Sequence, residues 1–275
     1  MSVEAAPVCY RHTDRESHIR CQRCERPICP DCMKSAAVGF QCPECVREGQ
    51  RSVRQGRPLN FGPSGPVVTY ALIGINLAVW ALILIAPSVA HLLSLHLADY
   101  CSSQGYPRLG FDSAGCAAYG GTFAPGVWHG GPWELITSAF THQQAWHIAT
   151  NMISLWMIGP LVEQALGRWR YLVAYLVCGL GGSLLVVAAG PQVGYTLGAS
   201  GAIFGLLGIL VVLFIRRGLP LQQLGSVLAL NLVLTFALHN VVSWQGHIGG
   251  LLTGLAIGAL YAYTPLGRRR RILQR

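Results

Sequence analysis

Charge is scarce in this chain of 275 residues: Asp, Glu, Lys and Arg together make up 11% of it, against 52% hydrophobic residues. An ordinary soluble domain carries about a quarter charged residues, so a wholly water-exposed globule is excluded and most of the chain must lie in lipid. Acid is scarcer still, because no Asp or Glu follows Glu163. That absence argues against a transport path, which calls for acids near the bilayer midplane. It also leaves Asp99, Asp112 and Glu134 as the acids that could add a carboxylate to a catalytic set in the C-terminal half. No apolar stretch opens the chain. The first begins near Val67, after polar and Cys-rich residues, so no signal peptide is expected and the N-terminus is expected in the cytoplasm. The formal net charge of +9 does not point to nucleic acid. The basic residues fall in the N-terminal region, in short loops and at the tail, rather than along one stripe.

What the chain does have is a series of apolar runs. They predict six spans: Val67 to Ala86, Trp146 to Leu166, Tyr171 to Ala189, Ser200 to Ile215, Leu221 to Leu238 and Gly246 to Tyr263. Arg168 and Arg170 separate the second from the third, Arg216 and Arg217 the fourth from the fifth, and Arg268 to Arg271 follow the last. The loops after the third and fifth spans carry neither Lys nor Arg. Counted from a cytoplasmic N-terminus, every basic loop then falls inside. Spans two, four and six run from outside to inside, and residues early in each lie at similar depth. The expected division is a metal-binding module at 1–50, a linker at 51–66, a membrane domain at 67–265 with a long outer loop at 87–140, and a basic cytoplasmic tail at 266–275. A loop of that length is uncommon unless it has a function. The fold class is an all-α membrane protein, a six-helix bundle preceded by a small cytoplasmic module.

The ten cysteines fall into three groups. Cys9-x2-His12, Cys21-x2-Cys24, Cys29-x2-Cys32 and Cys42-x2-Cys45 are four pairs at the spacing that lets two side chains grip one tetrahedral ion. Eight ligands imply two zinc ions, since disulfides are disfavoured in the cytoplasm. With so few apolar residues the module could not fold without metal. His18 reads as surface. Cys101 and Cys116 share the outer loop, where either a bridge or two free thiols would fit, and Cys178 reads as core packing.

Three signals in the spans carry chemistry. Gly198-Ala199-Ser200-Gly201 places a serine at a helix N-terminus, where unpaired N–H groups favour a developing oxyanion; alone, such small residues more often serve helix packing. His247 stands early in span six, ahead of Gly250, Gly254 and Gly258 at every fourth position, a face that a neighbouring helix can approach at backbone distance. An ionisable group in a span is a functional hypothesis by default, with a histidine bonded to a carbonyl as its rival. His142, His147 and Asn151 come early in span two, the last two on one helical face. They read as hydrogen-bond donors or, alternatively, as metal ligands, although no carboxylate or thiolate stands near to complete a metal site. Taken together at one depth they are a nucleophile, a base and an oxyanion stabiliser.

These motifs resemble the rhomboid family of intramembrane serine proteases from about Trp133 to Tyr263. The resemblance rests on Gly198 to Gly201, on His247 with Gly250 and Gly254, and on the string His142, His147, Asn151. It implies Ser200 as nucleophile and His247 as base in a Ser/His dyad. It implies an oxyanion hole of His147, Asn151 and the Ser200 N–H next to Gly198, and His142 as a support of the outer end of span two. Transmembrane protein segments are the implied substrates, cut near the outer face of a lipid bilayer, expected here to be a bacterial plasma membrane. No cofactor is implied for catalysis. Glu134 stands where many members have Arg after Trp133, and Phe204 stands where some stack a Tyr on the histidine. The N-terminal pairs resemble B-box or RING-like fingers, which implies a cross-brace in which pairs one and three hold one ion and pairs two and four the other; a sequential arrangement is the alternative. The module is expected to bind a cytoplasmic partner or to serve as a folded cap. The rival readings for the whole chain are a catalytically inactive rhomboid-like client binder and a small transporter.

Overall fold

The computed structural model describes residues 6–52, 65–103, 106–109, 111–190, 194–237 and 242–264. The expected basic tail at 266–275 and residues 53–64 of the linker expected at 51–66 lie outside the described residues. The chain divides into two units, Met1–Leu59 and Asn60–Arg275.

The first unit has little regular structure. A two-residue hairpin pairs β1 (Lys34–Ser35) with β2 (Phe40–Gln41), and one helix, α1 (Pro43–Ser52), follows. Its buried cluster consists of Ile28 and the cysteines at 9, 21, 29, 32, 42 and 45. One aliphatic side chain cannot offset the chain entropy of some forty ordered residues, so sulfur chemistry has to supply the rest.

The second unit contains six helices of sixteen residues or more among its described residues. The first, α2 (Val67–Ile85), is followed by the long loop expected on the outer side, which holds the short helices α3 (Ser88–Leu93), α4 (Ser113–Ala118) and α5 (Glu134–Thr137). Then come α6 (Ala145–Leu166), α7 (Arg168–Ala189), α8 (Ser200–Arg217), α9 (Gln222–Ala237) and α10 (Trp244–Tyr263). Each overlaps its predicted span to within a few residues. By length and composition alone α2, α7 and α8 suffice to cross a membrane. The chain is thus mostly helical, as the apolar runs require. The shared core lies among α2, α6, α7 and α8, with Leu155, Tyr171, Tyr175, Cys178, Leu206 and Ile209 fully buried.

Glycine sets the closest contact in the bundle. A Cβ on Gly250 would lie 1.9 Å from the Gly201 carbonyl oxygen, and one on Gly254 would lie 1.9 Å from that of Gly205. The stripe at every fourth residue of α10 therefore faces α8 with no side chain between, as small-residue helix pairs do in membranes. Because Ser200 opens α8 and His247 lies in the first turn of α10, this contact brings the two residues to one level.

Glu163, near the C-terminal end of α6, is almost fully buried and caps α2. Its carboxylate accepts from Val68 N at 3.1 Å, Thr69 N at 2.9 Å and Thr69 Oγ1 at 2.8 Å. These N–H groups belong to the first turn of α2 and have no partner within the helix; a negative charge there also meets the positive end of the dipole. Glu163→Ala leaves the Val68 and Thr69 N–H groups without their acceptor, while Thr69 Oγ1 keeps Tyr171 Oη at 3.3 Å, and is expected to cost about 1–3 kcal/mol. A lowered unfolding midpoint in detergent would show it, and an unchanged midpoint would remove Glu163 as a cap.

The outer loop is built on a three-stranded sheet. Its centre is β4 (Tyr100–Ser103), flanked by β5 (Tyr106–Leu109) and β6 (Thr122–Ala124), both antiparallel to it. A disulfide joins Cys101 in β4 to Cys116 in α4, which settles the two alternatives open at that pair. A separate strand, β3 (Leu95–His96), pairs antiparallel with β7 (Tyr195–Thr196), the segment that leads into α8. The outer loop and the approach to Ser200 thus share a backbone ladder.

Candidate active site and metal centres

Ser200 is the first residue of α8, and no side chain caps that terminus at Ala199. The residues before it are held from two sides. Gly198 N donates to Ser138 O at 2.8 Å, and Ala199 N donates to His142 Nε2 at 3.3 Å. Gly198 has φ of +117°, and a Cβ built there would stand 2.6 Å from His147 Cε1. Glycine is required on both counts, and its bare backbone lets the His147 ring lie against the turn. His142 is fully buried, edge-on to His147 at 5.0 Å between ring centroids. Its Nε2 accepts from Ala199 N, so that nitrogen carries no proton.

His247 completes the cluster from α10. Its Nε2 lies 2.7 Å from Ser200 Oγ, its ring stacks on Phe204 at 4.2 Å and 16°, and its Nδ1 lies 2.7 Å from Thr235 Oγ1 on α9. Asn151 Nδ2 donates to His147 O at 2.9 Å, one turn back along α6. An amide NH2 has two donors, so one remains. Ser200, His247, Gly198, His147, His142 and Asn151, all singled out from the sequence, form one connected group. His142 holds the turn before Ser200 through Ala199 N. Thr235 was not anticipated. Its signal was faint: one hydroxyl residue, four positions after Asn231, in an apolar run.

The acids of the outer loop are occupied elsewhere. Asp112 caps α4 through Gly115 N at 2.7 Å. Asp99 accepts from Gly126 N at 2.7 Å and pairs with His129 at 2.9 Å. Glu134, fully buried, accepts from His96 N at 2.8 Å and pairs with His96 Nδ1 at 3.1 Å. It thereby pins β3, and through β3 the β7 segment ahead of Gly198. A carboxylate after Trp133 thus has a positioning task, and none of the three acids bonds His247. Chemically the arrangement provides a hydroxyl held against an imidazole, beside a helix N-terminus and His/Asn donors where negative charge could be stabilised.

In the first unit the eight candidate ligands form two groups of four, Cys9, His12, Cys29 and Cys32 in one and Cys21, Cys24, Cys42 and Cys45 in the other. Within each group all ligand atoms lie within 4.8 Å of one another. The grouping is the crossed one, pairs one and three together and pairs two and four together. His12 Nδ1 is 3.3 Å from Cys29 Sγ and 3.5 Å from Cys32 Sγ, and Cys24 Sγ is 3.8 Å from Cys42 Sγ. Tetrahedral bonds of about 2.3 Å to sulfur and about 2.0 Å to nitrogen give edges of roughly 3.5–3.8 Å; a disulfide would need about 2.05 Å. The donors are therefore spaced to surround a metal ion. Arg26 Nε donates to Cys24 Sγ at 3.3 Å and draws that thiol below its ordinary value. His18 lies exposed beside Glu16, as expected.

Residues 129–264 match the model of the rhomboid domain family. The chain is 37% identical over 149 residues to the rhomboid protease GluP of Bacillus subtilis, a match covering 52% of this chain and 27% of that protein. It is 33% identical over 140 residues to RHOMBOID-like protein 1 of Arabidopsis thaliana, covering 48% and 35%. With YdcA of Bacillus subtilis, also named for the rhomboid family, it is 30% identical over 139 residues, covering 49% of this chain and 70% of that one. The match thus spans about a quarter of GluP and a third of the Arabidopsis protein, and most of YdcA.

Proposed function

This chain belongs to the rhomboid family and is an integral membrane protein, and on that premise we propose that it is an intramembrane serine endopeptidase that cuts transmembrane segments near the outer face of the bilayer. The observation that carries the reading is the 2.7 Å hydrogen bond between Ser200 Oγ and His247 Nε2. Ser200 Oγ attacks the carbonyl carbon of a peptide bond while its proton passes to His247 Nε2. The oxyanion that forms is held by the Ser200 N–H at the start of α8 with His147 and Asn151. Collapse of this intermediate breaks the C–N bond, and the proton on Nε2 goes to the departing amine. Water, deprotonated by the same nitrogen, then attacks the acyl ester and frees Ser200. A regular helix shields its peptide bonds, so segments with small or helix-breaking residues are the fitting substrates.

A fluorophosphonate probe tests the nucleophile. Labelling is expected in the wild type and absent in Ser200→Ala; equal labelling of the two would sink the assignment. The client-binding reading predicts no labelling in either.

For the first unit the same reading assigns two structural zinc ions, in a segment on the cytoplasmic side. Cys9, His12, Cys29 and Cys32 would hold one, and Cys21, Cys24, Cys42 and Cys45 the other. Bound there, zinc supplies folding energy that the single aliphatic core residue does not. Its surface is open to a cytoplasmic partner.

A further inference from the structure

Thr235 adds a third member to the hydrogen-bond chain through the active site. It is buried at 2% exposure in α9, where its Oγ1 lies 2.7 Å from Asn231 O and 2.7 Å from His247 Nδ1. A hydroxyl has one proton and a carbonyl oxygen can only accept. The Thr235 proton is therefore committed to Asn231 O, and the Thr235 oxygen offers a lone pair to Nδ1. The Nδ1 atom must then carry the ring proton, which leaves Nε2 bare and facing Ser200 Oγ.

We propose that Thr235 is a positioning residue that selects the Nδ1–H tautomer of His247 and so keeps Nε2 free to take the Ser200 proton. The inference rests on the protease reading above and deepens it. Proton donation then runs one way along the chain, from Ser200 O–H to Nε2, from Nδ1–H to Thr235 Oγ1 and from Thr235 O–H to Asn231 O. In the acylation step only the first of these protons changes owner. When Nε2 is protonated, Nδ1–H stays in place and the Thr235 oxygen faces the resulting cation, a neutral counterpart of the carboxylate that orients histidine in other serine hydrolases. The chain has no Asp or Glu after Glu163, and Glu163 is taken up by the start of α2, so a hydroxyl does this work. Phe204 fixes the plane of the ring by stacking but has no polar atom with which to choose between tautomers.

The test uses the full-length protein and a single-span membrane substrate in liposomes. Thr235→Val keeps the shape and removes the acceptor; it is expected to lower kcat by about 10–100-fold, as loss of the orienting partner of a metal-bound histidine does. KM should stay close to wild type, and fluorophosphonate labelling of Ser200 should slow in parallel. Thr235→Ser, which restores the hydroxyl, should return kcat to within about threefold of wild type. A valine variant as fast as wild type, or a serine variant as slow as valine, overturns the inference. The ring 15N shifts of His247 in the wild type give a readout that does not depend on any variant folding: a protonated Nδ1 and a bare Nε2 are expected, and the opposite tautomer overturns the proposal. These failures differ from that of the protease reading itself, which would appear as probe labelling that survives in Ser200→Ala.

Discussion

His247→Ala is expected to lose at least about 10³-fold in turnover of a single-span substrate, because it removes the general base and the later proton donor together. Among the described residues no neighbour can stand in. The acids of the outer loop are bound to His96, Gly126, His129 and Gly115, and His142 is engaged through its Nε2 by Ala199 N. His147 lies against the Gly198 turn, where it can donate toward developing charge. The substitution also removes the stack on Phe204 and the bond to Thr235, so a stability loss of about 1–3 kcal/mol is expected with it. Turnover and unfolding should therefore be measured on the same preparation. Turnover that survives in a folded His247→Ala protein would strip this residue of its role.

Metal removal should act as strongly on the other unit. Purified protein is expected to contain about two zinc ions per chain, and a strong chelator should unfold residues 9–45 outright, since structural zinc contributes on the order of 10–16 kcal/mol in comparable fingers. Cys29→Ser should lower the metal content toward one ion, because the second set of ligands shares no residue with the first. Hydrogen exchange reads the unfolding directly: the amides of Cys9, Cys21 and Ile28, bonded to backbone carbonyls, should lose protection on chelation. Retained protection in metal-free protein would mean that the cysteine core holds by itself.

Much of the fold and of the candidate site is legible in the sequence. The spans are readable because apolar runs of membrane length admit one backbone solution, and two of the three ends displaced by two residues or more fall at arginines. Arg168 and Arg170 looked like loop, yet α7 begins at Arg168, separated from α6 by Gly167 alone, whose φ is +87°. Arg216 and Arg217 likewise belong to the last turn of α8, ahead of the left-handed Gly218, where basic side chains suit the negative helix end. Ser200 and His247 were legible because the glycine stripe of α10 implied a close neighbour. What stayed hidden was long-range and polar. The pairing of β3 with β7 involves two residues a side, too short for any periodicity to announce. The partnership of Glu134 with His96 spans 38 positions, and nothing local in the sequence marks it.

The contact between α8 and α10 also limits how a guest can arrive. Two helices pressed together carbonyl against glycine have no slack to part without surrendering the whole seam, so on the protease reading a substrate segment does not enter between them. Thr235 is the one buried residue among those described in α9. That helix has the least to lose by moving, and any swing it makes also releases the proton order that readies the histidine.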